Sequence, residues 1–93
     1  MTYEQAEILS LKALSHVAGH EDILLAYLSL SGMTLEALRN SASAPATLAS
    51  ILDYFLQNEK RLMTFCRAEN ILPDQLAKAR QFLPGGETIA AST

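Results

Sequence analysis

Apolar residues recur along this chain in steps of three and four, which is the spacing of an amphipathic α-helix. The first stretch places four of them on one helix face: Ala6, Leu9, Ala13 and Val17. Thr2 and Gln5 have the spacing of a capping box, in which side chains satisfy backbone N–H groups at the helix start. The pattern therefore predicts a first helix that begins near Tyr3 and ends at Gly19.

Two shorter helices are predicted next. Glu21 opens a second apolar stretch that ends before Gly32, a residue that tolerates the left-handed conformation common at helix ends. Thr34 is a good N-cap for a third helix, which we expect to end near Asn40. The small residues at 41–44 are typical of a linker, so the second half of the chain begins after them.

The apolar stripe over residues 45–69 permits two interpretations. Pro45 suits the first position of a helix, where its missing N–H group is no loss. We predict one long helix with a kink near Asn58, and the alternative is two helices with a capped break at that residue. Beyond Asn70, a last helix is expected to open at Pro73.

That last helix carries inward-facing apolar residues at Leu76, Ala79, Phe82 and Leu83. Pro84 and the two glycines after it then stop helical structure. Residues 1–86 are accordingly predicted to form a single helical domain, and residues 87–93 a flexible C-terminal tail.

The two halves of the chain repeat one pattern at an offset of 38 residues. Aligned pairs include Leu14 with Leu52, Val17 with Phe55, Glu21 with Glu59, Leu24 with Leu62, and Gly32 with Asn70. Two copies are fewer than a solenoid needs, so we predict a duplicated helix-break-helix unit folded on itself. The expected fold is all-α, a compact bundle of about five helices.

Composition narrows the classes of function. Net charge is −3, which disfavours a nucleic-acid surface because such surfaces usually carry a basic stripe. The longest apolar run, at 23–28, is far below the roughly 18 residues of a membrane span. One cysteine and no basic, apolar leader favour the cytoplasm. Hydrophobic residues make up 49% and charged residues only 18%, which hints at a surface that a partner covers.

Several short motifs, in this order and spacing, resemble a small bacterial family known as domain of unknown function 3572. They are Leu28-Ser29-Leu30-Ser31-Gly32, Leu38-Arg39, Ile51-Leu52-Asp53-Tyr54-Phe55-Leu56 with Glu59, Leu72-Pro73, Ala79-Arg80 and Leu83-Pro84-Gly85-Gly86. The chain departs from the family pattern at Ala44, where an acid is typical, and at Asn70, where glycine is common. The resemblance implies a helical bacterial cytoplasmic protein, and it carries over no catalytic residue.

Two pairs of side chains are weak candidates for chemistry. His16 and His20 have the four-residue spacing of zinc ligands on one helix face, but Gly19 lies between them and no cysteine or third histidine completes a set. Glu21 and Glu59 hold equivalent places in the two copies and would do acid-base work if they were buried together. For the histidines, solvated or helix-capping side chains are the favoured interpretation, and for the glutamates it is helix capping or an ion pair at the helix break.

Two further features have plain structural interpretations. Cys66 falls on the apolar stripe, so we expect a small buried hydrophobe rather than a reactive thiol. Residues 26–40 have the outline of a helix-turn-helix, yet the second helix offers only Glu36, Arg39 and Asn40 to a groove. No glycine-rich phosphate loop is present, and we expect neither a cofactor nor a metal.

The leading hypothesis is a non-enzymatic module that docks an apolar surface onto another protein or onto a second copy of itself as a homodimer. The candidate interface residues are Tyr3, Leu30, Leu35 and Tyr54. A nucleic-acid-associated regulator built on the helix-turn-helix outline is the first alternative. An enzyme that uses Glu21 and Glu59 is the second.

Overall fold

The computed structural model describes residues 1–86, whose regular secondary structure is entirely α-helical. The six helices are α1 (Tyr3–Ala18), α2 (Glu21–Ser31), α3 (Leu35–Asn40), α4 (Pro45–Leu56), α5 (Glu59–Glu69) and α6 (Pro73–Arg80). The all-α prediction is confirmed. The predicted tail at 87–93 lies outside the described residues.

The helix ends follow from the residues placed there. At the start of α1, Gln5 N donates to Thr2 Oγ1 at 3.2 Å and Thr2 N donates to Gln5 Oε1 at 2.9 Å, which confirms the predicted capping box. Gly32 and Asn70 follow α2 and α5 with φ angles of 74° and 56°. Both are left-handed, as expected of glycine and asparagine after a helix.

The segment 45–69 forms two helices, so the prediction of one kinked helix is wrong and the capped break is the correct alternative. Asn58 has extended backbone angles, φ −142° and ψ 114°, and its side chain accepts a hydrogen bond from Arg61 N at 3.0 Å. The asparagine thereby starts α5 as an N-cap. The apolar stripe stays in phase across this break, which is why its periodicity alone suggested continuity.

The last helix ends earlier than its apolar pattern suggested. α6 stops at Arg80, and residues 81–85 form turns that return Leu83 to the core, where it is 1% exposed. A Cβ atom on Gly86 would lie 2.5 Å from the Arg80 carbonyl oxygen, so only glycine fits this close turn.

One core is built around α1 and α4, which pack against each other and against α2, α5 and α6. The largest fully buried side chains come from both halves of the chain: Tyr27, Phe55, Phe65, Leu48, Ile51, Leu52, Leu76 and Leu83. α3 has a single buried residue, Leu38, and lies at the periphery. The two halves of the chain therefore contribute to one core.

The helix bounds coincide at the 38-residue offset. α1 and α4 end at Ala18 and Leu56, and α2 and α5 are both 11 residues long and end before a left-handed residue. The packing is less regular, because α6 lies against α1 and α4 whereas α3 packs only slightly on any helix. The duplication of a unit stays a prediction.

Candidate functional site

The four candidate interface residues divide by exposure. Tyr3, Leu30 and Leu35 are 43%, 66% and 38% exposed, whereas Tyr54 is only 7% exposed. The Tyr54 ring packs edge-on against Tyr27 at 5.6 Å between centroids. Tyr54 is thus largely a core residue, because α4 is covered by neighbouring helices on most of its circumference.

A groove of about 300 Å³ lies between α2 and α4 and brings two of those candidates together. We call it the α2–α4 groove, and its principal lining residues are Tyr27, Leu30, Ala46, Ala49, Ser50 and Tyr54. Leu30 lies at its edge with most of its side chain in solvent, and the buried Tyr54 contributes to its wall. Tyr3 and Leu35 do not line it.

Small side chains on α4 open this groove. Ala46, Ala49 and Ser50 are spaced by three and four residues, so they share one face of the helix. Ser50 Oγ lies 2.9 Å from Tyr27 Oη, which satisfies both hydroxyl groups at the groove floor. The groove therefore combines small side chains on α4 with polar groups, of which Ser50 and Tyr27 are paired with each other.

An ion pair forms the other end of the groove. Arg80 donates from Nε to Asp53 Oδ1 at 2.8 Å and from Nη2 to Asp53 Oδ2 at 3.3 Å. The same guanidinium donates from Nη1 to the Pro84 carbonyl oxygen at 2.9 Å. Arg80 thus joins α4, α6 and the C-terminal turns, and its side chain is only 14% exposed.

His16 and His20 come together, although only one of them is exposed. Their ring centroids are 4.5 Å apart, and His20 Nδ1 lies 2.7 Å from the His16 carbonyl oxygen. Burial and the neighbouring His20 lower the pKa of His16, and Glu69, whose Oε2 lies 3.9 Å from His16 Nδ1, opposes this shift. Within residues 1–86 no group of three or more His, Cys, Asp or Glu side chains could hold a metal ion.

Glu21 and Glu59 each occupy the first position of a helix, α2 and α5 respectively, and both are exposed. A carboxylate there interacts favourably with the positive end of the helix dipole. Neither residue lines any of the three main cavities within residues 1–86. The geometry gives them no shared, water-excluded site of the kind that acid-base catalysis requires.

Cys66 is 3% exposed, and burial raises the pKa of its thiol. The prediction of a small buried hydrophobe is confirmed.

In the helix-turn-helix outline, α3 is only six residues long and its Leu38 turns inward. Glu36, Arg39 and Asn40 stay exposed, so the face available to a groove carries little positive charge.

Two elements of the site went unpredicted from the sequence. The small residues of α4 were available as a spacing of three and four positions, but nothing in the sequence says which helix they face. The pairing of Asp53 with Arg80, which is 27 residues away, is the second. Pairing at that separation depends on how the helices pack.

None of the helices in residues 1–86 combines the length and apolar character that a membrane crossing requires.

Comparison with protein families gives one finding. A family model described as "Protein of unknown function (DUF3572)" matches residues 3–86, which is most of the chain and agrees with the resemblance in the sequence motifs. Comparisons with curated proteins and with solved structures give no match.

Proposed function

The chain belongs to this family of unknown function, and we propose that it is a non-enzymatic self-association module. In this proposal the α2–α4 groove of one copy receives Leu30 of a second copy. The observation that carries the proposal is that Leu30, 66% exposed, stands at the edge of a groove lined by small side chains.

A protruding apolar side chain beside a groove with small side chains on the same surface can be self-complementary. In a dimer with two-fold symmetry the same patch meets itself, so each copy can fill the groove of the other. Ala46, Ala49 and Ser50 present little side-chain bulk, so the α4 backbone can be approached closely. This argument favours a second copy over an unrelated partner.

The size of the contact sets the expected affinity. Burying one leucine contributes about 1.5–3 kcal/mol, and the two-fold arrangement buries two of them. Association costs at least about 4 kcal/mol in lost freedom of motion. The two leucines together offset about the cost of association, and the other contacts in the groove supply the net affinity, so we expect a weak dimer with a Kd of about 1 mM.

Sedimentation velocity over a concentration series tests the proposal. The parent protein should shift from monomer to dimer as concentration rises, and Leu30→Ser should stay monomeric at concentrations where the parent is mostly dimer. Leu25→Ser is the matched control, because Leu25 is 59% exposed on the same helix and does not line the groove. It should dimerise like the parent.

Filling the groove provides a second, independent variant. Ala46 is exposed in the first turn of α4, so Ala46→Leu should leave the fold intact and occupy the space that Leu30 needs. We expect the Kd to rise about tenfold or more, the equivalent of about 1.4 kcal/mol. A parent protein that is monomeric throughout, or equal effects of Leu25→Ser and Leu30→Ser, would refute self-association through this groove.

A further inference from the structure

A second cavity lies on the other side of Tyr54 from the α2–α4 groove and has a different chemical character. Its volume is about 300 Å³, and we call it the histidine cavity. Its principal lining residues are His16, Ile23, Phe55, Asn58, Lys60 and Thr64, with Tyr54 and Arg61 completing the wall. Residues from α1, α2, α4 and α5 thus converge on one space.

His16 is the unusual member of this lining. The residue is 9% exposed and its side chain 6% exposed, yet its ring nitrogens make no hydrogen bond to any group in residues 1–86. The distance of 3.9 Å from Nδ1 to Glu69 is too long for one. Every fully buried side-chain nitrogen and oxygen in residues 1–86 has a hydrogen-bond partner, so the unbonded ring nitrogens of His16 are open to the cavity, where a ligand can reach them.

The charges around the cavity favour an anion. Lys60 and Arg61 line it, and no aspartate or glutamate does. Arg61 is already engaged, since Nη1 donates to the Tyr54 carbonyl oxygen at 2.7 Å and its guanidinium lies 4.3 Å from the Tyr54 ring centroid. Lys60 makes no ion pair within the described part of the chain, so its ammonium group is available.

The start of α5 adds a favourable field on the same side. Asn58 accepts from the backbone N–H of Arg61, and the first N–H groups of this 11-residue helix have no partner inside the helix. Such a terminus attracts negative charge. The exposed Glu59 carboxylate is nearby in sequence, but it does not line the cavity.

The remaining wall is apolar and aromatic. Ile23 and Phe55 meet the cavity between the polar groups, and the buried Tyr54 closes it towards the α2–α4 groove. A ligand that fits both parts needs a flat or compact apolar body and one acidic group.

We propose that the histidine cavity binds a small organic anion of the arylcarboxylate class. The aromatic body lies against Ile23 and Phe55, and the carboxylate accepts a hydrogen bond from the His16 ring and pairs with Lys60. The site is separate from the surface proposed for self-association, so either proposal can fail without the other.

Benzoate is the probe for the test, and the readout is the ring resonances of His16 and His20 in NMR spectra of the full chain. We expect saturable shifts of the His16 signals with a Kd of about 1 mM or tighter. Benzyl alcohol, which has the ring without the charge, and acetate, which has the charge without the ring, should each bind at least about tenfold more weakly.

Two variants assign the site. Lys60→Gln changes an exposed residue and should raise the benzoate Kd about tenfold without affecting the fold, and His16→Gln should do the same if circular dichroism shows it folded. Lys12→Gln is the matched control, since Lys12 is exposed on α1 and lines no described cavity. It should change the Kd less than about twofold. Unsaturable shifts, equal binding of benzyl alcohol or acetate, or equal effects of Lys12→Gln and Lys60→Gln would overturn the proposal.

Discussion

The buried side chain of His16 makes the stability of the fold depend on pH. Its imidazole lies edge-on to Phe65 at 5.1 Å and to Phe55 at 6.0 Å between centroids, with the His20 ring beside it. Burial disfavours the imidazolium form first, and His20 adds to this, so the pKa of His16 lies below its ordinary value of 6.5. The folded protein therefore contains the neutral ring at neutral pH.

The sign of the resulting pH dependence follows from linkage. Because the folded-state pKa is lowered, the unfolded chain binds more protons as pH falls below about 6.5, and stability is lost through that window. We expect the free energy of unfolding to fall between about pH 7.5 and pH 5, and to fall less steeply in His16→Gln. Urea unfolding at several pH values measures this. Equal slopes for parent and variant would contradict the assignment to His16.

Gly32 tests the left-handed end of α2. Its φ of 74° suits glycine, and a Cβ atom built there meets nothing within 4 Å, so a substitution is strained by backbone conformation alone. Gly32→Val should lower the melting temperature and cost about 1–2 kcal/mol, since left-handed angles are especially poor for β-branched residues.

Asn70→Gly is the comparison for Gly32→Val, because it places glycine at the equivalent left-handed position, where φ is 56°. This change should alter stability far less than Gly32→Val. Matching melting temperatures for Gly32→Val and the parent would show that the turn relaxes to another conformation.

Capping interactions could be predicted from the sequence where the two interacting residues are close along the chain. The Thr2 and Gln5 capping box and the helix-ending roles of Gly32 and Asn70 depend on residues three or four positions apart. Tyr54 was expected on the surface and is buried, because its environment is set by α2 and α5 rather than by its neighbours in sequence.

At the scale of elements, the break between α4 and α5 depends on one side chain. Asn58 Oδ1 accepts from Arg61 N at 3.0 Å, and removing this cap leaves a helix-terminal N–H group without its partner. Asn58→Ala should therefore cost about 1 kcal/mol. Gln57→Ala is the control, since Gln57 is an exposed neighbour whose side chain makes no hydrogen bond in residues 1–86. Chemical denaturation should give a lower free energy of unfolding for Asn58→Ala than for Gln57→Ala. Equal free energies for the two variants would contradict the capping role of Asn58.

Arg80 contacts α4 and the C-terminal turns in addition to its own helix, α6. Its substitution should therefore destabilise the packing of all three elements. Its guanidinium pairs with Asp53 on α4 and donates to the Pro84 carbonyl oxygen. Arg80→Ala should cost about 1.5–3 kcal/mol, the range for hydrogen bonds to charged groups. In contrast, Lys78 and Asp74 form an exposed pair at 3.2 Å, and Lys78→Ala should cost less than about 0.5 kcal/mol.

Thermal melts of these two variants give the comparison. If Arg80→Ala is as stable as Lys78→Ala, the Asp53 pair contributes nothing beyond a surface contact.

The helix break illustrates why element bounds are harder to predict than element types. An apolar stripe that remains in phase through 45–69 fits one helix as well as two. Asn58 with Arg61 three residues later does not have the full capping-box signature, whereas Thr2 with Gln5 does. The offset of 38 residues aligns Asn58 with His20, at a break already predicted, and was the stronger signal for two helices.

On the scale of the whole molecule, the two halves depend on each other. The core places Val17 and Tyr27 from the first half among Leu48, Phe55 and Leu76 from the second, and α1 packs against both α4 and α6. We expect a single cooperative unfolding transition, as small domains with one core usually show. Separated halves, residues 1–41 and 45–86, should each be largely unfolded by circular dichroism, since each loses the surface that covers its apolar face.

Mixing the two halves should restore helical signal if the packing described above drives folding. A half that is helical and unfolds cooperatively alone would contradict the shared core.

The all-helical class and the single domain-sized core were predictable because helical periodicity is a local property of the sequence. The candidate surfaces were not, since Leu30 and Ala46 come together only through the packing of α2 on α4. The histidine cavity likewise draws on four helices, and the sequence favoured a solvated or helix-capping His16, whereas the ring is buried in the cavity wall.

The burial of Cys66 has a practical consequence for measuring motion. The chain contains one cysteine, so a thiol reagent modifies a single site, and it does so only when α5 separates from the rest of the core. The rate of modification at low denaturant then reports how often this helix detaches, and its growth with urea distinguishes a local opening from complete unfolding.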